Sequence, residues 1–380
     1  MNIDVLLKAS IEQGASDLHI KVGAPPMARV NGTLRALEQF QRMKKEDVSA
    51  LAYSVLSPAQ RETFKEDREI DLAYSAAGLG RFRVSIFMQR GTVGAVFRVI
   101  PSRILSLQDL ILPESIHKLA MEQRGMVLVT GTTGSGKSTT LASIVDIINT
   151  TRTANIITIE DPIEFLHRDK KGIVSQREIG QDTGSFGGAL RAALRQDPDV
   201  IMVGEMRDFE TISTALTAAE TGHLVLSTLH TLDATETINR IVSVFPPYHH
   251  GEVRMQLATV LKGIISMRLM PRVKGEGRVP AVEILIGTQT VCEAIIDSTK
   301  TRNLRDVIAA GKSQYGMQTF DQSIYDHYQN GLISYDEALK WTSTPEDFAL
   351  KAKGIQSTSD SWQNPQETGG GETEFEIDRF

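Results

Sequence analysis

The chain has 380 residues, with 41 Lys and Arg against 47 Asp and Glu, so its formal net charge is −6. This length predicts two domains or more, and a content of 41% hydrophobic and 23% charged residues is typical of a globular protein. The charge balance gives no electrostatic indication of a nucleic acid partner, and the single cysteine, Cys292, excludes an internal disulfide and a cysteine-rich zinc site.

The first 100 residues have the pattern of a mixed α+β domain. Leu18, Ile20 and Val22 alternate with polar residues, as in a half-buried strand, and Asn31-Gly32 is a hairpin turn signal between two short strands. The pattern also predicts a helix over residues 44–65 and strands over residues 80–87 and 94–100. We therefore predict an N-terminal domain over residues 1–100 and a linker over residues 101–113, which has a proline at each end.

From residue 114 to residue 355 the pattern changes to that of an α/β domain. Short apolar runs alternate with helical segments, which predicts a mostly parallel sheet covered on both faces. The predicted strands are 126–130, 155–159, 200–203 and 224–227, with a helix over residues 211–221. After residue 250 the pattern is mostly helical, except for a loop over residues 271–277 and a strand over residues 279–286.

A phosphate-binding loop lies between the first of these strands and a predicted helix. It has the form G-x-x-x-x-G-K-S, in which glycines let backbone amides surround phosphates while the helix N-terminus faces them. Lys137 is expected to neutralise the β- and γ-phosphates and Ser138 to ligate Mg²⁺, so we predict ATP and Mg²⁺ as cofactors. The alternative is a chance glycine-rich turn. The predicted nucleotide-binding residues are Gly131, Thr132, Thr133, Gly134, Ser135, Gly136, Lys137, Ser138 and Thr139.

Two acidic residues follow neighbouring predicted strands. Strand 200–203 ends in Gly204-Glu205, where the usual pair is Asp-Glu, and Glu205 is the expected carboxylate on the metal side. Glu164 ends an acidic segment after strand 155–159 and is positioned to act as the general base that activates water. The alternatives are a surface glutamate at 205 and an acidic loop without chemistry at 164.

A histidine and several arginines complete the candidate site. His230 follows strand 224–227 at the site edge and is a candidate sensor of the γ-phosphate, or else an ordinary core or surface histidine. Arg81 and Arg83 point the same way along one predicted strand, and Arg98 lies on the next; they are candidates for trans-acting contacts or an ion-paired sheet face. A second candidate set, predicted on one helical face, is Arg191 and Arg195.

The last 25 residues concentrate the negative charge. Residues 356–380 contain six acidic residues and one arginine, a net charge of −5, which leaves −1 for residues 1–355. The segment is polar, contains three consecutive glycines and cannot bury enough apolar surface to offset its ordering entropy. We predict a disordered acidic tail, which either solubilises the protein or docks on a basic partner.

Taken together, these motifs resemble those of the secretion-ATPase family of the RecA-like class. The resemblance runs from residue 15 to about residue 331 and rests on the phosphate loop, 159–164 (an Asp box), 197–205 (a Walker B segment) and 229–231 (a His box). The Gly-Glu pair at 204–205 is itself the family's pattern. The resemblance implies a RecA-like P-loop ATPase core, a smaller PAS-like N-terminal domain and a homohexameric ring in which Arg81, Arg83 and Arg98 reach a neighbour's nucleotide.

Within the family, the chain resembles the pilus-retraction ATPases, whose subgroups are PilT and PilU. Residues 80–83, 95–98 and 316–321 carry this resemblance. The stretch at residues 300–307, KTRNLRDV, departs from the Ala-Ile-Arg-Asn-Leu-Ile-Arg-Glu sequence typical of PilT and, with the acidic tail, favours PilU. Pilus-assembly and type II secretion ATPases usually carry a tetracysteine insert, which one cysteine excludes.

The resemblance implies an ATP-hydrolysing hexameric motor that powers or assists type IV pilus retraction in twitching motility. Implied partners are further copies of the chain, a sister pilus ATPase and the inner-membrane pilus platform protein. No apolar run approaches the roughly 18 residues of a spanning helix, so we expect a cytoplasmic protein, without a transmembrane segment, peripheral at the pilus base. Alternatives are an accessory ring subunit that depends on a sister motor, a pilus-extension or type II secretion ATPase, and a nucleic acid motor, against which the near-neutral body argues.

Overall fold

The computed structural model describes residues 2–101, 103–274 and 277–354, and the predicted acidic tail lies outside them. The chain forms two compact units. The first contains Met1–Ile104 and Asp161–Arg168, and the second contains Leu105–Glu160 and Asp169–Phe380.

The first unit is built on a six-stranded antiparallel sheet. Its elements are α1 (Ile3–Glu12), β1 (Asp17–Lys21), β2 (Met27–Val30), β3 (Thr33–Ala36), α2 (Lys45–Ser54), α3 (Pro58–Asp67), β4 (Glu69–Ala76), β5 (Gly80–Gln89) and β6 (Thr92–Ile100). The strand order is β3-β2-β1-β6-β5-β4. Alternate residues of the central strands, among them Leu18, Phe82 and Phe97, are almost fully buried and form the core of this unit.

The predicted hairpin is confirmed, whereas the predicted single helix is wrong. Asn31 and Gly32 have φ values of 48° and 80°, the positive values that a two-residue hairpin turn requires. The helix predicted over 44–65 is two helices, because Ser57 starts a new one. Its hydroxyl accepts from the amide of Gln60 at 3.3 Å, its own amide donates to the Gln60 side chain at 2.9 Å, and Pro58 follows at the first helical position.

The second unit is built on a seven-stranded, mostly parallel sheet. Its elements are α4 (Ser115–Ala120), β7 (Gly125–Thr130), α5 (Lys137–Thr151), β8 (Asn155–Glu160), β9 (Ile173–Glu178), α6 (Phe186–Ala193), β10 (Val200–Val203), α7 (Phe209–Glu220), β11 (Leu224–Leu229), α8 (Ala234–Ser243), α9 (His250–Val260), β12 (Leu261–Pro271), β13 (Arg278–Ile286), α10 (Gln289–Ile296), α11 (Leu304–Ala310), α12 (Lys312–Tyr315), α13 (Phe320–Gln329), α14 (Tyr335–Trp341) and α15 (Pro345–Ala352). The strand order is β13-β12-β7-β11-β10-β8-β9, and only the edge strand β13 is antiparallel to its neighbour.

The four predicted parallel strands are the four adjacent strands β7, β11, β10 and β8. Every residue of β7, β10 and β11 is buried, because helices cover both faces of the sheet. These strands confirm the predicted α/β fold, and their carboxyl ends meet at one edge, where ligands bind in sheets of this kind.

Two strands of the second unit were not predicted. β9 extends the sheet beyond β8, and β12 occupies residues 261–271, where the sequence predicted mostly helix. Helix α9 ends at Val260 and β12 begins at Leu261 with no turn between them, so the continuous apolar run concealed the boundary. Within the predicted linker, Leu107 and Leu112 are buried against the parallel sheet, and the Ser143 hydroxyl donates to the carbonyl of Leu105 at 2.6 Å.

No helix among residues 2–101, 103–274 and 277–354 has both the length and the apolar character needed to cross a bilayer.

The close packing of β12 against the end of β13 can be tested by adding one methyl group. A Cβ on Gly287 would lie 2.1 Å from the carbonyl oxygen of Leu261, so Gly287→Ala should lower the free energy of unfolding by about 1–3 kcal/mol. The control is Gly251→Ala in α9, where a Cβ meets nothing within 4 Å and better helix propensity should leave stability unchanged or raise it by up to about 1 kcal/mol. Denaturant unfolding followed by circular dichroism measures both, and an unchanged midpoint for Gly287→Ala would contradict the packing.

Candidate functional site

The phosphate loop connects the carboxyl end of β7 to the first turn of α5. Gly131, Gly134 and Gly136 have φ values of 141°, 77° and 99°. At Gly131 there is also no space for a side chain, because a Cβ would lie 2.5 Å from the carbonyl oxygen of Met267 in β12. The loop therefore needs glycine at these positions to take its course over the neighbouring strand.

Lys137 is buried at the centre of this loop. Its ammonium group donates to the carbonyl oxygens of Gly131 at 2.9 Å and Thr132 at 3.0 Å, so the loop wraps around the lysine. The buried hydroxyl oxygen of Ser135 has no hydrogen-bond partner in the part of the chain that the structure describes. No side chain caps the start of α5, where Gly136 occupies the N-cap position. A cationic group, an unpartnered hydroxyl and uncapped helix amides together fit the phosphates of a nucleotide.

The remaining predicted loop residues flank this centre. Thr132, Thr133 and Gly134 are exposed at the outside of the loop, whereas Ser138 and Thr139 are half-buried in the first turn of α5. Ser138 follows Lys137 in the first turn of α5. This is the position expected for a metal ligand beside the phosphates.

Glu205 lies just beyond the carboxyl end of β10 and contacts two basic side chains. One of its carboxylate oxygens, Oε2, is 2.8 Å from the Arg207 guanidinium and 3.6 Å from Nε2 of His230. The preceding residue, Gly204, packs against β8: its amide donates to the carbonyl of Ile159 at 2.8 Å, and a Cβ there would approach the same oxygen to 3.2 Å. This crowding gives a physical reason for glycine at the position before Glu205.

Two hydroxyl side chains fasten the strand that carries His230 to the strand that carries Glu205. Ser227 donates to the carbonyl of Val203 at 2.7 Å, and Thr228 donates to the carbonyl of Gly204 at 2.6 Å. No sequence motif predicts this role, although two hydroxyl residues at the end of an otherwise apolar buried strand are the signal that indicates it. The bonds fix the positions of Glu205 and His230 relative to each other.

The pKa of His230 is lowered from its ordinary value. Burial is the largest cause, the positive charge of Lys137 is the second, and the carboxylate of Glu205 opposes both. The imidazole is therefore neutral near pH 7. The structure thus brings together Lys137, Glu205 and His230 as predicted from the sequence.

The acidic segment that starts at the last residue of β8 divides between the two units. Glu160, its first residue, belongs to the second unit and is buried, accepting from the hydroxyl of Thr158 at 2.6 Å and from the side-chain amide of Gln176 at 3.0 Å. Glu164, the predicted general base, lies in the Asp161–Arg168 segment that groups with the first unit. Its catalytic role stays a prediction.

The arginines of the first unit share one face of the antiparallel sheet. Arg83 of β5 and Arg98 of β6 are directly opposite each other, and each approaches a carboxylate: Arg83 lies 4.0 Å from Asp71, and Arg98 donates to Asp17 at 2.9 Å. These carboxylates offset the repulsion between like charges on neighbouring strands. Arg81 precedes them on the same face and is half-buried.

The prediction that Arg191 and Arg195 share one helical face is wrong. Helix α6 ends at Ala193, so Arg195 lies in the turn that follows the helix. Arg191 forms an ion pair with Glu210 of α7. The two arginines therefore do not form a joint site on one helix.

The charges around His230 give a prediction of opposite sign for two variants. Lys137→Gln should raise the pKa of the His230 imidazole, because it removes a positive charge that disfavours protonation. Glu205→Gln should lower that pKa further, because it removes the carboxylate that favours protonation. An NMR titration of the histidine ring carbons measures both shifts, with His327 of α13 as the internal reference that neither change should move. Shifts of the same sign in both variants would contradict the arrangement.

Comparisons with known proteins agree with this geometry. The family model for type II/IV secretion system proteins matches residues 1–326. The chain is 47% identical to the type IV pilus retraction ATPase PilT of Pseudomonas aeruginosa over 348 residues, which are 92% of this chain and 100% of that protein. It is 42% identical to the type IV pilus ATPase PilU of the same organism, over 95% of this chain and 94% of that protein. Whole-chain identity thus does not favour the PilU subgroup over PilT.

Solved structures of related ATPases are also similar to this chain. A crystal structure of the pilus retraction motor PilT with bound ADP superposes with a TM-score of 0.85 at 46% identity and covers 91% of this chain and 98% of that one. The ATPase DotB of Legionella pneumophila superposes with a TM-score of 0.72 at 30% identity, covering 93% and 95%. The chain belongs to the type II/IV secretion system protein family.

Proposed function

We propose that this chain is an ATP-hydrolysing motor that powers or assists the retraction of type IV pili in twitching motility. The observation that carries the proposal is the phosphate loop closed around the buried Lys137, next to Glu205 and His230 at the carboxyl edge of the parallel sheet. The chain is similar over nearly its whole length to a pilus retraction ATPase and to a retraction motor that binds ADP. This similarity supports both the binding of a nucleotide and a role in pilus retraction.

In this proposal the residues from Gly131 to Thr139 bind ATP. The Lys137 ammonium group leaves the loop carbonyls and neutralises the β- and γ-phosphates, while the amides at the start of α5 donate to phosphate oxygens. Bound Mg²⁺ supplies further charge neutralisation at these phosphates, and Ser138 and Glu205 would hold it, Glu205 directly or through water. Glu164, four residues beyond β8, accepts a proton from the attacking water.

His230 couples the nucleotide to the sheet. A neutral imidazole that contacts Glu205 can donate a hydrogen bond to a γ-phosphate without adding a charge that must be desolvated. Because Ser227 and Thr228 fix β11 to β10, a shift of His230 on loss of the phosphate moves both strand ends together. This is how hydrolysis would reach the rest of the unit.

The assembly and its location are part of the same proposal. We infer a homohexamer at the cytoplasmic face of the inner membrane, peripheral at the pilus base, in contact with the pilus platform protein and a sister ATPase. Residues 1–100 would form the N-terminal domain, residues 114–355 the ATPase domain, and residues 356–380 an acidic tail. Arg81, Arg83 and Arg98 would contact the nucleotide of a neighbouring subunit.

One feature favours a second candidate function, an accessory ring subunit that depends on a sister motor. In the stretch at 300–307 that differs from PilT, Arg305 donates to the buried carboxylate of Asp321 at 2.5 Å, and Thr301 is buried. Thr301 and Arg305 thus make contacts within their own unit, while Lys300, Arg302, Asn303 and Asp306 are exposed. ATPase activity of the purified protein with and without a sister ATPase, and pilus retraction in cells that carry this protein alone, distinguish the two functions.

Lys137→Ala should reduce ATP hydrolysis to background, because no other group in the loop can replace the ammonium charge at the phosphates. The measurement is phosphate release by the purified protein. Lys65→Ala, at an exposed position of α3, is the control and should keep wild-type activity. Hydrolysis above background by the Lys137 variant would overturn the assignment.

The trans-acting role of the arginines is tested by the double variant Arg81→Ala plus Arg83→Ala. It should assemble into rings yet lose hydrolysis by about tenfold or more, because a trans-acting arginine stabilises charge in the transition state. Size-exclusion chromatography and phosphate release measure the two properties separately. A ring that assembles and keeps wild-type hydrolysis would remove the hypothesis.

A further inference from the structure

A buried carboxylate lies behind the candidate site, on a strand that the proposed mechanism does not use. Glu283 of β13 is only 6% exposed. In the sheet, Glu283 lies directly opposite Ser266 of β12. Ser266 in turn lies opposite Thr130 of β7, the residue that precedes the phosphate loop. Thr130 donates to the hydroxyl of Ser266 at 2.9 Å, and the three side chains form a polar row across β7, β12 and β13 on one face of the sheet.

The carboxylate of Glu283 binds the first turn of α8. Its Oε1 accepts a hydrogen bond from the amide of Ala234 at 3.0 Å. Ala234 is the first residue of α8, and Asp233 caps the helix by accepting from the amide of Glu236 at 2.7 Å. An ionised Glu283 is favoured here by the positive end of the helix dipole, and it satisfies an amide that the cap does not.

Helix α8 is connected directly to the segment that contains His230. The hydroxyl of Thr237 in α8 donates to the carbonyl of Asp233 at 2.6 Å, so the hydroxyl of Thr231 donates to Thr237, also at 2.6 Å. Thr231 and Thr237 are both buried. The position of the first turn of α8 therefore fixes Thr231, and Thr231 is the neighbour of His230 in the chain.

We propose that Glu283 is a positioning residue that holds the start of α8 and, through Thr231, keeps His230 against Glu205. The proposal rests on the proposed ATPase function for its kinetic consequence, but not for the structural coupling. Glu283 touches neither the nucleotide nor the reacting atoms, and it acts by fixing the segment from His230 to Ala234.

The surroundings of Glu283 make this contact sensitive to pH near neutrality. Burial raises the pKa of Glu283 to about 7, the Ala234 amide lowers it, and the charge of Asp233 raises it. The charged groups that face it from the other packed elements are Arg268 of β12 and Arg305 of α11, which lower it to a smaller extent. Both arginines have other contacts: Arg268 lies over the ring of Phe320 at 3.9 Å, and Arg305 pairs with Asp321.

The test compares wild type with Glu283→Gln, which keeps the shape and the acceptor oxygen but removes the charge. Between pH 8.5 and 6.5 the wild-type kcat for ATP should fall about threefold as Glu283 takes up a proton, with KM for ATP unchanged within about twofold. The variant should show the low kcat of the wild type at pH 6.5 throughout this range. The pKa of His230 is lowered below its ordinary value, so its titration contributes at lower pH.

A second measurement needs no ATP hydrolysis. Hydrogen exchange of the nucleotide-free proteins at pH 8 should be faster by about threefold in peptides covering residues 229–237 of Glu283→Gln, and unchanged in peptides covering α5. The matched control is Glu337→Gln in α14, which loses a glutamate that accepts from Trp341 at 2.6 Å and should alter neither readout.

Each outcome decides one of the two claims. A kcat that keeps its pH dependence in Glu283→Gln, or unchanged exchange in residues 229–237, overturns the positioning role. A uniform rise in exchange across the unit, with the pH profile unaltered, shows a structural role only and also overturns it. A wild-type protein without ATPase activity overturns the proposed function, while a local exchange effect still supports the coupling of Glu283 to α8.

Discussion

The carbonyl oxygen of Met267 leaves no space for a side chain at Gly131, and the arrangement of the site depends on this close approach. The phosphate loop passes close to β12 at Gly131, starts α5 at Gly136 without a capping side chain, and encloses Lys137. The helix amides and the lysine then face the same space beyond the sheet. Any displacement of β12 is transmitted directly to the loop, since backbone rather than a flexible side chain forms the contact.

The second constraint is the bonding between strand ends. Ser227 and Thr228 join β11 to β10, and Thr130 joins β7 to β12, so polar side chains connect the strands where the apolar interior ends at the site. Buried hydroxyl groups without partners are costly, and these bonds therefore specify the register as well as stabilise it. The candidate site is a set of strand ends held in fixed relation, on which Glu205 and His230 are placed.

Turn residues and short apolar runs in the sequence predicted those elements of the fold that depend on neighbouring residues in the chain. The hairpin at Asn31-Gly32 and the strands β7, β8, β10 and β11 follow from turn chemistry and from apolar runs of strand length. The boundary at Leu261 did not, because an apolar helix and an apolar strand adjoin there without a turn signal. The site followed the same rule: Lys137, Glu205 and His230 were found from motifs, whereas the roles of Ser227 and Glu283 depend on partners on other strands, which spacing along the chain does not reveal.

The unpredicted edge strand β9 has a consequence for how copies of the chain can associate. Two of its amides are already occupied, since Val174 donates to Asp169 at 2.9 Å and Glu178 donates to Asp182 at 2.8 Å. The opposite edge, β13, exchanges backbone hydrogen bonds with Gln318. Occupied amides cannot template a further strand, so growth of the sheet from one molecule into the next is opposed at both edges. Any contact between copies of the chain at this sheet would therefore use side-chain surfaces, which can separate and re-form without breaking a continuous backbone ladder.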